Sequence, residues 1–422
     1  MTVATAVIDQ AAARRRRTLG VFYVLVGVII YAFFIRSSEA GQTASFGLNP
    51  GRATQALPVG DLVLPVLPGL YAMAAVAVFI GFAQLARGLG RLEGLGLGVV
   101  ALILVLAFLT WAARGRSLNL EGVLETAVQR ATPIALAALS GVLCERSGIV
   151  NIAIEGMMLT AALVSAVVGS VSGSLWVGLG AAMLSAGLLG ALLAVLSIRF
   201  KVNQIISGTA INILATGGTS YISAKFLSVY QQQLNSPGKF SNLPIPLLSR
   251  IPVVGPILFE SNIIVYMLFA LLIIIHIMLY YTRWGLRTRA VGEHPRAADT
   301  LGVNVLRIRY INTILGGMVA GLGGAFLVLG SVPRFDELMT AGKGFIGLAA
   351  LIFGKWNPFG AFGASLIFGF TDTFQAKLQI LNVPIPSQFM RMAPYLITMV
   401  VLAGVVGRAE APAAEGTPYE KQ

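Results

Sequence analysis

Glu155 is a carboxylate inside an apolar run, at the end of the stretch E-R-S-G-I-V-N-I-A-I-E-G that occupies Glu145 to Gly156. An ionisable group at membrane depth is costly unless it faces a cavity or a partner. Asn151 and Glu155 are four residues apart and share one helical face. Two readings follow: the pair lines a solute path, or it joins neighbouring helices while Glu145 pairs with Arg146 at the interface. Polar groups recur in N-Q-I-I-S-G-T-A-I-N, where Gln204, Gly208 and Asn212 fall on one stripe. A third set places Phe335 before a short apolar piece, and Asp372, Phe374 and Gln375 in the span that follows. These residue types bind by hydrogen bonding and stacking; they do not form a nucleophile–base pair. One cysteine, Cys144, and two histidines, His276 and His294, leave no disulfide, no His-rich metal centre and no H-E-x-x-H motif. No G-x-x-x-x-G-K-[ST] phosphate loop occurs either, so the chain carries no ATP-hydrolysing motif of that kind.

The elements that position these residues are apolar. Of 422 residues 56% are hydrophobic and 11% charged, where a soluble domain has roughly 25% charged residues. The 48 glycines suit closely packed membrane helices. The expected fold is therefore all-α, a polytopic transmembrane bundle. The net charge of +13 could signal nucleic acid, but the arginines sit in short loops between apolar spans, a placement that fits topology control and no nucleic-acid partner.

In chain order, a polar leader at 1–17 ends in Arg14-Arg15-Arg16-Arg17 and precedes an apolar run to Ile35, which we read as an uncleaved first span. Ser38-Glu39-Ala40 loosely resembles a signal-peptide cleavage site, the rival reading. Further spans are expected near 63–85, 94–112, 123–143, 148–170, 175–197, 204–226, 261–281, 311–331, 359–381 and 392–407. The piece Gly344–Gly354 is apolar but too short to cross as a helix, and it is expected to be a half-helix or re-entrant segment. The count is ten to twelve segments. The domain division is a leader (1–17), an N-terminal transmembrane extension (18–116), a core (117–408) and a cytoplasmic tail (409–422). Counting the short piece as a crossing puts both termini inside, with 18 of the 30 Lys and Arg on inner segments.

The longest polar interruption of the second half is the loop 283–310. It holds Arg283, Arg287, Arg289, Arg296, Arg307 and Arg309 against Glu293 and Asp299, a net +4, and belongs on the cytoplasmic side. Within it Pro295 opens a short helix to Leu301, and Gly302 stops it. A basic helix of this kind can lie on anionic lipid or dock a partner. In the expected span 311–331, Gly316, Ala320 and Gly324 are spaced by four, as are Gly317 and Gly321, a face for tight helix contact.

Four stretches in order resemble the bacterial ABC-importer permeases of the nucleoside and simple-sugar branch, related to the ribose and branched-chain amino-acid permeases. They are E-R-S-G-I-V-N-I-A-I-E-G, N-Q-I-I-S-G-T-A-I-N, G-E-H-P-R-A-A-D-T-L-G-V-N-V and M-T-A-G-K-G-F-I-G-L-A-A-L-I-F-G-K-W-N-P-F-G-A. The likeness extends from about Glu125 to Gly407, and the glutamate-containing first stretch is similar to the nucleoside branch. It implies an importer permease that works by alternating access without chemistry of its own. ATP would be hydrolysed by a separate ATPase subunit, a receptor (a lipoprotein or periplasmic protein) would deliver substrate, and a second permease subunit would complete the pathway. It also implies an inverted repeat in the bacterial plasma membrane. The family's coupling helix carries E-A-A-x-x-x-G; here Arg296, Ala297, Ala298 and Gly302 match except at Arg296, with Glu293 and Pro295 preceding. The small alanines would allow close approach to an ATPase cleft, and Gly302 would let the chain turn back.

A nucleoside needs an aromatic for its base and polar groups for its ribose. The resemblance thereby makes Asn151, Glu155, Gln204, Asn212, Phe335, Asp372, Phe374 and Gln375 the expected substrate pathway. A ribose-type sugar permease is the alternative. An ion-coupled secondary transporter would need several buried acids, for which Glu155 and Asp372 are the candidates.

Overall fold

A computed structural model describes residues 2–48, 60–380, 392 and 410–421. The expected span at 392–407 lies outside these residues apart from Met392. The chain forms two compact units, one of Met1–Gly122 with Lys377–Pro384 and one of Val123–Ala376 with Ile385–Gln422.

In the first unit α1 (Thr2–Ile29) continues without a break through a wider π turn to Ile35. The polar leader is thus the first turns of the first long helix. Two antiparallel strands, β1 (Thr43–Gly47) and β2 (Leu62–Pro65), lead into α2 (Val66–Ala86) and α3 (Glu93–Ala112). β3 (Ser117–Asn119) then pairs in parallel with β1. Long apolar helices bury one stripe against each other and leave the rest to lipid, as Phe79 and Phe82 do at 73% and 60% exposure.

The second unit holds the motifs. It begins with α4 (Leu120–Glu145), whose interior is almost wholly buried, then α5 (Ile154–Ser172), α6 (Leu175–Ala194, π turn to Arg199) and α7 (Gln204–Ile222, π turn to Leu227). The connection between α7 and the next long helix carries α8 (Gln231–Leu234), β4 (Asn242–Pro244), α9 (Val254–Phe259) and β5 (Glu260–Asn262), with β4 and β5 antiparallel. Next come α10 (Ile263–Tyr281), α11 (Arg283–Glu293), α12 (Pro295–Thr300), α13 (Val305–Ala325, π turn to Ser331), α14 (Lys343–Phe353) and α15 (Pro358–Ile380). Among the described residues eight helices are long and apolar enough to cross a membrane. α7 and α15 have the length but are more polar.

The all-α bundle is the observed architecture, and among the described residues five short strands are confined to the connections. α13 anchors it through the small-residue face. A Cβ at Gly317 or Gly321 would lie 2.6 or 2.7 Å from the Ala186 or Ala182 carbonyl oxygens of α6. One at Gly324 would lie 2.1 Å from the Met158 carbonyl of α5, and one at Gly316 only 2.4 Å from Cys144 Sγ on α4. Glycine is required because the backbones touch; any added methyl group would force helices apart. The span expected to begin at 148 begins at Ile154, because residues 148–153 are unwound.

Candidate substrate pathway and coupling surface

Two interrupted segments meet in the second unit. After α4 the chain turns at Gly148, whose φ of +90° is the left-handed region that glycine enters freely. The following unwound stretch would leave backbone groups unpaired at membrane depth, and α7 supplies the partners. Val150 N–H donates to Gln204 Oε1 at 2.6 Å, Asn212 Nδ2 donates to the Ile152 carbonyl at 2.8 Å, and Gly156 N–H donates to Asn212 Oδ1 at 2.8 Å. The stripe Gln204–Gly208–Asn212 therefore packs on the unwound segment. Gly208 allows this, since a Cβ there would sit 3.1 Å from Ala153 N. Asn151 is fully buried. Its Nδ2 lies 3.4 Å from Cys144 Sγ and 3.5 Å from Ser140 Oγ, and its Oδ1 finds no partner among the described residues.

Glu155 reaches from the start of α5 to the start of the half-helix α14. Gly342 N–H donates to Oε1 at 2.8 Å and Gly344 N–H to Oε2 at 2.6 Å. Both carboxylate oxygens thus satisfy the free amides at the N-terminus of α14, where a negative charge is also favoured by the helix dipole. Gly344 is obligatory here, because a Cβ would fall 2.6 Å from Glu155 N. At the other end of the half-helix the tie runs back. Trp356 Nε1 donates to Glu145 Oε2 at 2.6 Å, while Arg146 donates to the Trp356 carbonyl from Nε (2.9 Å) and to the Lys355 carbonyl from Nη2 (3.2 Å). Glu145 and Arg146 each hold the second interrupted segment; no contact between the two side chains is seen.

Beside the α14 N-terminus is a charged group of which the sequence singled out only Asp372. Arg130 of α4 pairs with Asp372 of α15 at 2.6 Å, with side chains 41% and 38% exposed. Lys343 lies within electrostatic reach of Asp372, Glu155 and Arg130. Both members of the ion pair sit mid-helix, where open surface suits a water-filled path and not hydrocarbon. Phe374 stacks on Phe370 with centroids 5.8 Å apart, and Gln375 is half-buried one turn beyond Asp372. Phe335 lies elsewhere. It is 2% exposed in the segment between α13 and α14, its N–H donating to Asn235 Oδ1 (2.6 Å) and its carbonyl accepting from Asn235 Nδ2 (2.9 Å). The structure thus gathers Glu155 and Asp372 near one point, and clusters Asn151, Gln204 and Asn212 about the unwound stretch.

On the basic loop, Pro295 occupies the first turn of α12. The helix ends at Thr300, one residue short of the expected Leu301, and Gly302 turns the chain with φ +79°. Ala298 faces inward, 3% exposed, among Val291, Val305, Ile308 and Tyr419. Of the two alanines only Ala297 is exposed, alongside Arg296, so close approach to a partner narrows to that one position. Leu301 is 84% exposed, which a polar reading of the loop passed over.

Comparison with known proteins bears on this geometry. The family model described as "Branched-chain amino acid transport system / permease component" matches residues 123–406. The chain belongs to this permease family. Among curated relatives, the permease is 42% identical to a guanosine ABC transporter permease protein of Bacillus subtilis over 69% of its own length and 94% of the relative's. It is 40% identical to a nucleoside ABC transporter permease protein of Lactococcus lactis, again over 69% and 94%. A putative glucose ABC transporter permease protein of Haloferax volcanii is 34% identical over 68% and 93%. No solved structure matches the permease significantly.

Proposed function

We propose that this permease is the membrane-spanning subunit of a nucleoside importer in the bacterial plasma membrane. Similarity to the guanosine permease over 94% of that protein's length carries the reading. Unwound segments meeting beside a charged, half-exposed group support a solute pathway at that point. A separate ATPase hydrolyses ATP and docks on α12 through Arg296, Ala297 and Gly302, while Glu293, Pro295 and Ala298 shape the loop. A receptor delivers the nucleoside, a second permease subunit faces this one, and both termini are cytoplasmic. Glu155 acts as the hinge of the half-helix, Asp372 meets the ribose hydroxyls and Phe374 and Gln375 flank it. Asn151, Gln204 and Asn212 hold the unwound wall of the path, and Phe335 braces its outer end. Likeness to the glucose relative favours a sugar as the second reading.

The energy source tests the class. Nucleoside uptake by cells carrying the complete system is expected to stop with vanadate or ATP depletion and to survive an ionophore. Loss of uptake with the ionophore alone would mark a secondary carrier and overturn the proposal.

A further inference from the structure

The C-terminal residues 411–420 have an amino-acid pattern without helical period, A-P-A-A-E-G-T-P-Y-E, yet they are pinned across the face that carries α12. Ala414 N–H donates to the Gly292 carbonyl (2.9 Å), Ala413 N–H to Glu293 Oε2 (3.2 Å) and Gly416 N–H to the Gly148 carbonyl (3.2 Å). Arg309, 2% exposed, donates from Nη1 to the Thr417 carbonyl (2.9 Å) and from Nε to the Ser147 carbonyl (3.2 Å). Lys201 and Glu420 form an ion pair at the rim. Tyr419 is 8% exposed and closes the apolar cluster beneath Ala298. The tail therefore reaches the inner ends of α6, α11 and α13 as well as the turn after α4.

α12 alone is a small platform: six residues at 1.5 Å each make about 9 Å, and one of its faces is already spent on Tyr419. Next to it opens a cavity of about 490 Å³, lined on one side by Glu293 to Arg296 and on the other by Ala413, Ala414 and Thr417 to Glu420. The lining itself carries Glu293 and Glu420 beside Arg296, and the same loop exposes Arg283, Arg287 and Arg307 together with Leu301 and Leu286, at 84% and 62% exposure, as apolar anchors. Such a surface fits a partner that brings acidic groups to the arginines and an apolar socket to the leucines.

We infer that the tail and α12 form one composite docking surface for the ATPase subunit, the tail supplying the second wall of the groove and holding α12 in register. The inference rests on α12 being the ATPase-docking helix. Protein loss by truncation is avoided by using two exposed positions, Ala297 on α12 and Pro418 on the tail. A photo-crosslinking benzoylphenylalanine at either position, in the full chain expressed with its ATPase, is expected to capture the ATPase from both. Glu420→Arg, which sets a second cation against Lys201 and so releases the tail from the rim, should lower the yield from position 418 several-fold and leave the amount of permease in the membrane unchanged. Capture from 297 but not from 418, or a yield from 418 indifferent to Glu420→Arg, would overturn the composite surface alone. Capture from neither would remove the docking assignment of α12 as well.

Discussion

Replacing Glu155 with glutamine tests the hinge between the two interrupted segments. The carboxylate accepts from Gly342 N–H at 2.8 Å and Gly344 N–H at 2.6 Å. Each such bond to a charged acceptor is worth about 1.5–3 kcal/mol. Glutamine keeps one acceptor oxygen, but its amide group must face the other N–H, donor against donor. One bond is lost and one backbone amide is left unpaired, a cost of about 3 kcal/mol. At 1.4 kcal/mol per decade this is roughly a hundred-fold loss in occupancy of the seated half-helix. The assay is initial nucleoside uptake by cells with the complete system, alongside the amount of ATPase recovered with the permease. Uptake is expected to collapse while ATPase recovery holds, because neither of the two perturbed hydrogen bonds involves a residue of α12. Glu155→Asp should fall between, retaining the charge but shortening the reach. Uptake by Glu155→Gln within about two-fold of the parent would mean that less than about 0.5 kcal/mol depends on the charge, and the hinge would be refuted.

The ion pair and the topology give two further outcomes. Because Arg130 and Asp372 are each about two-fifths exposed, Asp372→Asn should change thermal stability by less than about 1 kcal/mol. It should nonetheless depress uptake strongly, since it would remove the charge and turn one of two acceptor oxygens of the proposed path into a donor; unchanged uptake would remove Asp372 from the pathway. A cysteine at Ser241, exposed in the outer loop, should react with an impermeant maleimide in intact cells, while one at Thr300 on α12 should not. The reverse pattern would invert the proposed orientation.

Much of the helical frame was legible because hydropathy and length decide whether a segment can cross a bilayer, and those are properties of local sequence. The half-helix was legible for the same reason, as Lys343–Phe353 is too short to span. The small-residue face on α13 was visible from its spacing, although not which helices it would meet. The site was harder to see. Glu155 stood out as a charge in an apolar run, but its partners are backbone amides nearly two hundred positions away, and backbone groups leave no mark in a sequence. Arg130 and Asp372 are 242 residues apart, and Asn235 holds Phe335 across 100; such pairs need the fold to be recognised. The tail is legible only as a cytoplasmic end, 409–422, since its Pro, Ala and Gly content has no period and its docking depends on carbonyls and on Arg309 lying beneath it.

The central claim is that nucleosides pass through this permease. Its most direct test is competition for uptake of labelled guanosine in cells carrying the complete system and in the same cells lacking only this chain. The account predicts chain-dependent uptake that unlabelled adenosine or uridine suppresses and that free ribose, glucose or leucine leaves intact. Suppression by glucose, ribose or leucine with none by any nucleoside would contradict it.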